Sequence, residues 1–385
     1  AAQRALGAGG RGFRAATGPR TAHSADAPDR QKTPVRAAGE PLLWCVMALA
    51  NVAAFAADTP QTWLDRMTVA LTTRNYEGVY SHWLSGRVET LRIVHRVVDG
   101  AVTERLESLD GSGRQFVRDG AELTCYLPDQ RTVLVEKAPR SLMPASLPKF
   151  DSGMTQLYQL ETLGTMRQMG RKAQVISVTP RDGFRYGYRL WIERATGMPL
   201  KTELLDTGGS VIEQVVFSSL SMRQHITDAE FKPQMVTTGF EWLRDDGAPA
   251  VTAEGTGAWA NTPLPPGFHL MAQAAQRMPG IAEPVTHLVF SDGIATVSVF
   301  VQTETFRNSP SQVRAGVAQV GSSSAFTSVQ SGHKFVALGE VPPATVRFII
   351  EGLLHQSTGQ PLGLQPPPTT AAKLDPAQGP TQAPR

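Results

Sequence analysis

Histidine and cysteine supply most metal ligands and many nucleophiles, and this chain spaces them in no pattern typical of either role. The sequence also contains no H-E-x-x-H, C-x-x-C, G-x-x-x-x-G-K-[ST] or G-x-S-x-G motif. It therefore predicts a protein that is not an enzyme, with no catalytic residues, no metal site and no cofactor. The histidines after residue 57, each interpreted as a surface or core residue, are His82, His95, His225, His269, His287, His333 and His355.

Three further features resemble functional motifs. The segment from Gly7 to Gly12 formally matches G-x-G-x-x-G, but no strand-like run precedes it, so it is interpreted as low complexity. The pair Asp245-Asp246 lies in a turn flanked by Gly and Pro, where solvation explains two adjacent carboxylates. Cys125 is the single cysteine after residue 57, so it cannot form an internal disulfide and is predicted to be a buried strand residue.

The amino-terminal region predicts export. Residues 41–57 carry no charge and follow three basic residues at positions 30, 32 and 36. At about 1.5 Å per residue they span only ~25 Å as a helix, short of the ~30 Å hydrocarbon core. Ala54 and Ala56 are small residues at the positions that a signal peptidase reads. Residues 1–56 are thus predicted to be a leader with a signal peptide cleaved after Ala56; the alternative is a membrane span.

The charge balance argues against a nucleic-acid partner. Of the 37 Lys and Arg residues seven lie in residues 1–56, against three of the 34 Asp and Glu residues. The remainder is close to neutral, whereas nucleic-acid binders normally carry a basic excess.

The pattern of residues 57–222 predicts a large domain built on an antiparallel sheet. Thr59-Pro60 is a helix N-cap followed by proline, and Trp63, Leu64, Met67, Ala70 and Leu71 then repeat at helical spacing. Alternating runs follow, separated by Asp-Gly at 99–100, 110–111 and 119–120 and by Pro-Asp at 128–129, which predicts a meander of hairpins. A second helix is predicted over 155–169 from Leu157, Leu160, Leu163 and Met166, and strands at 173–179, 185–193, 199–205 and 210–218.

Large apolar residues on both strand faces favour curling of this sheet into a half-barrel around the two helices. An incompletely filled half-barrel would keep an apolar groove suited to an acyl chain, and the alternative is a fully packed core. The Pro-rich stretch 138–149, with Leu142-Met143, is interpreted either as a lid over that groove or as an ordinary crossover.

A linker over 223–257, with a strand-like run at 235–243 that leads into the next module, precedes a small α+β domain over 258–356. Strands are predicted at 268–274, 287–290, 295–301, 325–329 and 335–338, and Pro342-Pro343 opens a helix. Trp259, Pro266 and Phe268 either anchor a partner helix or pack the domain junction. The Pro-rich tail 357–385 is predicted to be disordered.

Several of these segments, in this order, resemble the RseB/MucB family of periplasmic regulators of the envelope-stress sigma factor. In the large domain the resemblance is carried by Tyr76 to Arg96, the Asp-Gly meander, R-D-G-F-R-Y-G-Y at 181–188 and L-L-D at 204–206. In the small domain it is carried by Trp259, L-P-P-G-F at 264–268, S-D-G at 291–293 and G-E-V-P-P at 339–343. Residues 1–40 and the tail do not match the family pattern.

The resemblance implies a fold and a function. The fold would be mainly antiparallel β with helices (α+β), a LolA-like curved sheet followed by the small α+β domain. The protein would be periplasmic, would bind the periplasmic domain of an anti-sigma factor of the RseA/MucA type, and would protect it from a DegS-type protease. Lipid A or another acyl-chain ligand in the large domain would favour release. Whether the chain forms a homo-oligomer is left open.

If the small domain and the junction bind the partner and the large domain binds the lipid, the residues that make each contact can be predicted. Partner-binding residues would be Trp259, Pro266, Phe268, Ser291, Asp292 and Gly293. Lipid-binding residues would be Tyr80, Trp83, Leu91, Ile93, Leu142 and Met143. The alternative function is a periplasmic lipid or lipoprotein carrier of the LolA type, which would need only the large domain.

Overall fold

The computed structural model describes residues 58–137, 152–244, 259, 262–276, 281, 283–303, 316–330 and 332–358. Two sheets and two α-helices account for most of these residues, and the predicted fold class, mainly antiparallel β with helices, is confirmed. No described helix combines the length and the hydrophobicity that a membrane span requires. The predicted signal peptide, the Leu142-Met143 loop, Asp245-Asp246 and the tail beyond 358 lie outside the described residues.

Helix α1, Pro60–Thr73, begins as its sequence predicts. The Thr59 Oγ1 atom accepts a hydrogen bond from the Thr62 backbone N–H at 3.2 Å, which satisfies one of the N–H groups that have no partner within the helix. The apolar stripe of Trp63, Leu64, Met67 and Ala70 is buried. The helix therefore covers part of the first sheet with the face that the spacing predicts.

Twelve strands form the first sheet, in the order β12-β6-β5-β4-β3-β2-β1-β11-β10-β9-β8-β7. Asp99 and Gly100 join β2 to β3 with φ angles of 49° and 79°, the positive values that a tight hairpin turn requires. β7 and β12 lie at opposite ends, so the sheet is not closed, which agrees with the predicted half-barrel. The strands are β1 Tyr76–Leu84, β2 Arg87–Val98, β3 Ala101–Ser108, β4 Gln115–Asp119, β5 Glu122–Leu127, β6 Thr132–Lys137, β7 Tyr158–Gln168, β8 Arg171–Pro180, β9 Gly187–Glu193, β10 Pro199–Leu205, β11 Val211–Met222 and β12 Glu241–Arg244.

The prediction of a helix over 155–169 is wrong. A short 3-10 helix, Ser152–Gln156, is followed by strand β7, which pairs with β8 from Tyr158↔Pro180 to Gln168↔Arg171. The hairpin closes at Met169 and Gly170, with φ angles of 53° and 73°. The first sheet is therefore covered by one α-helix among the described residues, and the second predicted helix is its edge strand.

The predicted linker folds back on the first sheet. A 3-10 helix, Asp228–Phe231, contributes Phe231 to a buried cluster with Ile226 and Val94. β12 then pairs in parallel with β6. The strand-like run at 235–243 is thus shorter than predicted, and its strand joins the first sheet rather than leading into the second.

Six strands form the second sheet, in the order β13-β14-β15-β18-β17-β16, and helix α2 packs on it through Val346, Ile349, Ile350 and Leu353. The predicted strands and the helix after Pro342-Pro343 are confirmed, with one further strand, β16. Helix α2 ends at Thr358, so the first two residues of the predicted tail are helical. The elements are β13 His269–Gln276, β14 Val285–Ser291, β15 Thr296–Thr303, β16 Gly316–Val320, β17 Ser323–Gln330, β18 His333–Gly339 and α2 Pro343–Thr358.

Cys125 lies on β5 and is buried, as predicted. Burial and the nearby Glu136 carboxylate raise the pKa of its thiol to about 11. The thiol therefore stays protonated at neutral pH and behaves as a small apolar side chain.

Candidate functional site

The loop 181–186, between β8 and β9, connects the first sheet with the second. Asp182 Oδ1 accepts a hydrogen bond from the Phe184 backbone N–H at 3.0 Å, which turns the chain. The Phe184 ring meets the Phe348 ring of α2 edge to face, with centroids 5.2 Å apart. The Thr345 hydroxyl, also on α2, donates to the Phe184 carbonyl at 2.7 Å. The loop is therefore held by the helix that covers the second sheet.

Arg185 is the centre of this junction, and its side chain is fully buried. Its Nε donates to Asp292 Oδ2 at 2.5 Å, its Nη1 donates to the Asp182 carboxylate, and its Nη2 donates to the Pro266 carbonyl. The guanidinium carbon lies 5.2 Å from the centroid of the Phe268 ring. All three guanidinium nitrogens thus have acceptors, which is what makes a buried cation tolerable.

The charge of Arg185 is secured by its surroundings. Burial lowers the pKa of the guanidinium, but the Asp292 and Asp182 carboxylates raise it by more, so that the net shift is upward. The Arg185 guanidinium therefore stays positively charged at neutral pH.

The turn Ser291-Asp292-Gly293 presents its carboxylate in a fixed orientation. Asp292 Oδ1 accepts backbone hydrogen bonds from Ile294 at 2.9 Å and from Ala295 at 2.7 Å. The Ser291 hydroxyl donates to the Ala295 carbonyl at 2.8 Å and accepts from the Gly293 N–H at 3.0 Å. Because Oδ1 closes its own turn, Oδ2 is left to face Arg185.

A second turn, Pro265-Pro266-Gly267, brings its backbone close to the same guanidinium. The Phe268 N–H donates to the Pro265 carbonyl at 3.1 Å, and Gly267 has a φ of +78°. A Cβ atom on Gly267 would lie 2.8 Å from Leu157 Cδ1 and 3.3 Å from Arg185 Nη2. Glycine is therefore required here for space as well as for conformation.

The structure brings five of the six predicted partner-binding residues together around Arg185. Phe268, Ser291 and Asp292 are buried by contacts within the chain, whereas Pro266 and Gly293 are exposed. The sixth, Trp259, is half-buried and packs edge to face on Phe335, 6.3 Å between centroids. The sequence leaves open whether Phe268 anchors a partner helix or packs the domain junction. In the structure it packs the junction. Arg185 itself was missed; the R-D-G-F-R-Y-G-Y segment that contains it was the available signal.

The predicted lipid-binding residues do not share one surface. Tyr80, Leu91 and Ile93 lie on one face of β1 and β2 and are buried in a core cluster that includes Phe217. Trp83 is three residues after Tyr80 in the same strand, so strand alternation places it on the opposite face. Leu142 and Met143 lie outside the described residues. The side chains that can be described favour the packed-core alternative for this part of the sheet.

One polar atom in this cluster lacks a partner. The Tyr80 hydroxyl is buried and makes no hydrogen bond among the described residues. Burial, with smaller effects from the Glu89 and Glu104 carboxylates, raises the pKa of the phenol far above its usual value, so it remains a neutral donor. A buried hydroxyl in this state would gain from an acceptor on a ligand or from a water molecule.

Comparison with known proteins extends these observations. A family model described as the MucB/RseB N-terminal domain matches residues 59–235, and one described as the MucB/RseB C-terminal domain matches residues 253–354. The sigma factor AlgU regulatory protein MucB of Pseudomonas aeruginosa is 36% identical over 266 residues, which cover 68% of this chain and 80% of the relative. The sigma-E factor regulatory protein RseB of Escherichia coli is 27% identical over 324 residues, 81% of this chain and 97% of the relative.

Solved structures agree with the sequence matches. MucB in the complex structure of Pseudomonas aeruginosa MucA/MucB has a TM-score of 0.57 and 29% identity, and the match covers 75% of this chain and 96% of that one.

Proposed function

Since this chain belongs to the MucB/RseB family, we propose that it is a periplasmic regulator that binds the periplasmic domain of an anti-sigma factor. By holding this domain it keeps the anti-sigma factor from the protease that makes the first cut, and the sigma factor stays inactive. The observation that carries the proposal is the match to MucB of the MucA/MucB complex, which extends over 75% of this chain.

The partner is proposed to contact the second sheet and the junction. Trp259, Pro266 and Gly293 keep exposed surface there and would touch the partner directly. Phe268, Ser291 and Asp292 are buried and would position these three residues. A half-buried tryptophan at the edge of a packed cluster is the kind of residue that dominates binding energy at protein interfaces.

A lipid ligand is proposed to favour release of the partner. By thermodynamic linkage, the lipid must bind the released form more tightly than the complexed form. A 100-fold preference corresponds to ~2.7 kcal/mol, which is enough to reverse a moderately favourable complex. The proposed position of the lipid is the first sheet, near the unpartnered Tyr80 hydroxyl. Leu142 and Met143 remain predicted contacts.

A titration of the purified protein with the labelled periplasmic fragment of the anti-sigma factor tests the proposal. We expect saturable binding, protection of the fragment from the site-1 protease, and a lower affinity once lipid A is added. Absence of binding to the fragment would overturn the regulatory function, while binding that lipid A leaves unchanged would overturn only the release step.

A pair of tryptophan variants tests where the partner binds. Trp259→Ala is expected to weaken binding at least about tenfold, because a hot-spot residue contributes more than ~1.4 kcal/mol. Trp242→Ala is the matched control, since Trp242 is 58% exposed on β12 of the first sheet. Equal affinities of the two variants would contradict the placement on the second sheet.

The rival function is carriage of lipids or lipoproteins. A carrier would need only the first sheet, so the family match over residues 253–354 favours the regulator. A pull-down from envelope extract separates the two: an anti-sigma factor among the captured proteins supports regulation, and lipoproteins alone would support carriage.

A further inference from the structure

A pocket of about 470 Å³ lies on the hairpin of β7 and β8, at the end of the first sheet. Three of its five lining residues are cations, Arg167, Lys172 and Arg194, and the other two are Thr165 and Met166. We call it the basic pocket. Its volume falls within the range of small-molecule sites, roughly 300–1,000 Å³.

The three cations have no counter-charge in the part of the chain that the structure describes. Neighbouring arginines are paired: Arg171 lies 3.3 Å from Glu193, and Arg189 lies 2.9 Å from Glu203. No described carboxylate lies within ion-pair distance of Arg167, Lys172 or Arg194. An anion in the basic pocket would therefore meet positive charge that is not already neutralised.

The cations are also held in place. Arg167 and Lys172 are direct cross-strand partners, and Arg167 Nη1 donates to the Gly170 carbonyl at 2.7 Å. The Arg194 backbone N–H donates to the Lys172 carbonyl at 2.9 Å, and its Nη1 donates to the Thr165 hydroxyl at 3.2 Å. Like charges that face each other across strands repel, and an anion bound between them would relieve this repulsion.

We propose that the basic pocket binds a phosphomonoester group. Two guanidinium groups and an ammonium group approach from β7, from β8 and from the turn after β9, which suits a compact anion with several oxygens. An extended acidic peptide would present its carboxylates in a row and suits this convergent arrangement less well.

Phosphorus NMR of inorganic phosphate titrated with the purified protein measures the binding. We expect saturable broadening with the wild type, and at least about tenfold weaker binding, ~1.4 kcal/mol, when Arg167→Gln and Lys172→Gln are combined. Co-sedimentation with phosphatidylcholine vesicles, with and without phosphatidic acid, then identifies the source of the phosphate. Binding to the phosphatidic acid vesicles indicates a lipid headgroup, and binding to free phosphate alone indicates a soluble phosphate compound; both support the site.

The control variant also loses two positive charges, but at positions outside the basic pocket. Arg74→Gln combined with Arg87→Gln removes two exposed cations outside the basic pocket, and it should keep wild-type binding. Circular dichroism verifies folding, and the single variant Arg194→Gln replaces the double variant if the latter does not fold. Equal binding by the wild type and the pocket variant, equal loss in the control, or binding of polyglutamate without phosphate would each overturn the proposal. The partner titration is independent of this result, because no residue of the basic pocket belongs to the proposed partner surface.

Discussion

Arg185 and Asp292 are a pair of charges that solvent cannot screen, because both side chains are fully buried. Removing each from water costs several kcal/mol, and their attraction offsets this only when the geometry is good and the remaining polar atoms are bonded. Here the guanidinium has three acceptors, and the second carboxylate oxygen closes its own turn. The pair is therefore expected to select one arrangement of the junction rather than to add much net stability.

Replacing Arg185 with methionine should lower the free energy of unfolding by about 3–5 kcal/mol, since it leaves the Asp292 charge buried without its partner. Asp292→Asn keeps the Oδ1 acceptor and removes the charge. The Arg185→Met, Asp292→Asn double variant should therefore cost less than the two single variants together. Urea denaturation of the four proteins gives this coupling energy.

Arg189→Met is the matched control in strand β9. Glu203, the partner of Arg189, keeps a second cation, because Lys201 Nζ lies 2.7 Å from it. The control should therefore cost less than ~1 kcal/mol. Two outcomes would contradict a specific role of the buried pair. One is a double variant whose loss of unfolding free energy equals the sum of the two single losses, and the other is an Arg189→Met variant that loses as much as Arg185→Met.

His287 is expected to make the stability of the second sheet depend on pH. Its ring stacks on Phe300 with centroids 4.5 Å apart, and its Nε2 is buried without a partner among the described residues. Burial lowers the pKa of His287 in the folded chain. As the pH falls, the unfolded chain therefore binds the proton first, near pH 6.5, and the folded chain binds it only at a lower pH. The contribution to stability is present above that pH and is lost as the pH falls toward the folded pKa.

His287→Phe keeps the stacking and removes the titration. Unfolding free energies measured between about pH 7.5 and pH 5 should fall less steeply in this variant than in the wild type. His225→Phe, at an exposed position, is the control and should leave the slope unchanged. A His287→Phe variant with the wild-type slope would contradict the assignment.

The sequence predicted the parts of the junction that are formed by residues close together in the chain, but not the contacts between distant residues. The S-D-G segment at 291–293 and the L-P-P-G-F segment at 264–268, which form the two turns, were noticed in the sequence, because turn chemistry is local. The role of Arg185 was not, because its acceptors Pro266 and Asp292 lie 81 and 107 residues away. No local pattern shows that an arginine in a loop will be buried, and pairing over such distances is decided by the packing of two sheets.

At the scale of elements, the sequence predicted most strands and both α-helices of the described residues but took β7 for a helix. A bulge between Thr162 and Gly164 explains the error. The extra residue puts Leu160 and Leu163 three apart while both pack against buried clusters, and this spacing imitates a helix. The hairpin turn has Met169 at positive φ, where sequence patterns expect Asn, Asp or Gly.

The packing of α1 on the first sheet depends on a glycine. Gly197 has a φ of +79°, and a Cβ atom there would lie 2.9 Å from the Arg66 carbonyl oxygen of the helix. Gly197→Ala should therefore displace α1 and cost clearly more than Gly170→Ala, where φ is +73° and no atom lies within 4 Å. The Gly170→Ala cost should be about 1–2 kcal/mol, the conformational strain alone. Thermal midpoints measure the cost, and intrinsic tryptophan fluorescence, to which Trp63 of α1 contributes, reports the displacement. Equal midpoints would show that α1 moves without a cost in stability.

At the scale of the molecule, the loop 181–186 makes the two sheets one unit. Besides the Arg185 contacts, Thr345 and Phe348 of α2 hold Phe184, and Gln319 Nε2 donates to the Tyr186 hydroxyl at 3.2 Å. A junction with this many buried polar contacts is expected to transmit a disturbance of one sheet to the other. A partner surface on the second sheet could thereby respond to a ligand on the first.

The wild type should consequently unfold in one calorimetric transition that includes both sheets. Arg185→Met combined with Thr345→Val removes two contacts that join them, so the second sheet should melt separately at a lower temperature. Arg189→Met combined with Thr68→Val, which alters a hydrogen bond inside α1, should keep the single transition. The junction variant should also bind the anti-sigma fragment more weakly, because the turns that carry Pro266 and Gly293 lose the guanidinium that bonds to both. A wild type that already melts in two steps, or a junction variant with one unchanged step, would mean that the two sheets are stable independently and that coupling must run through another route.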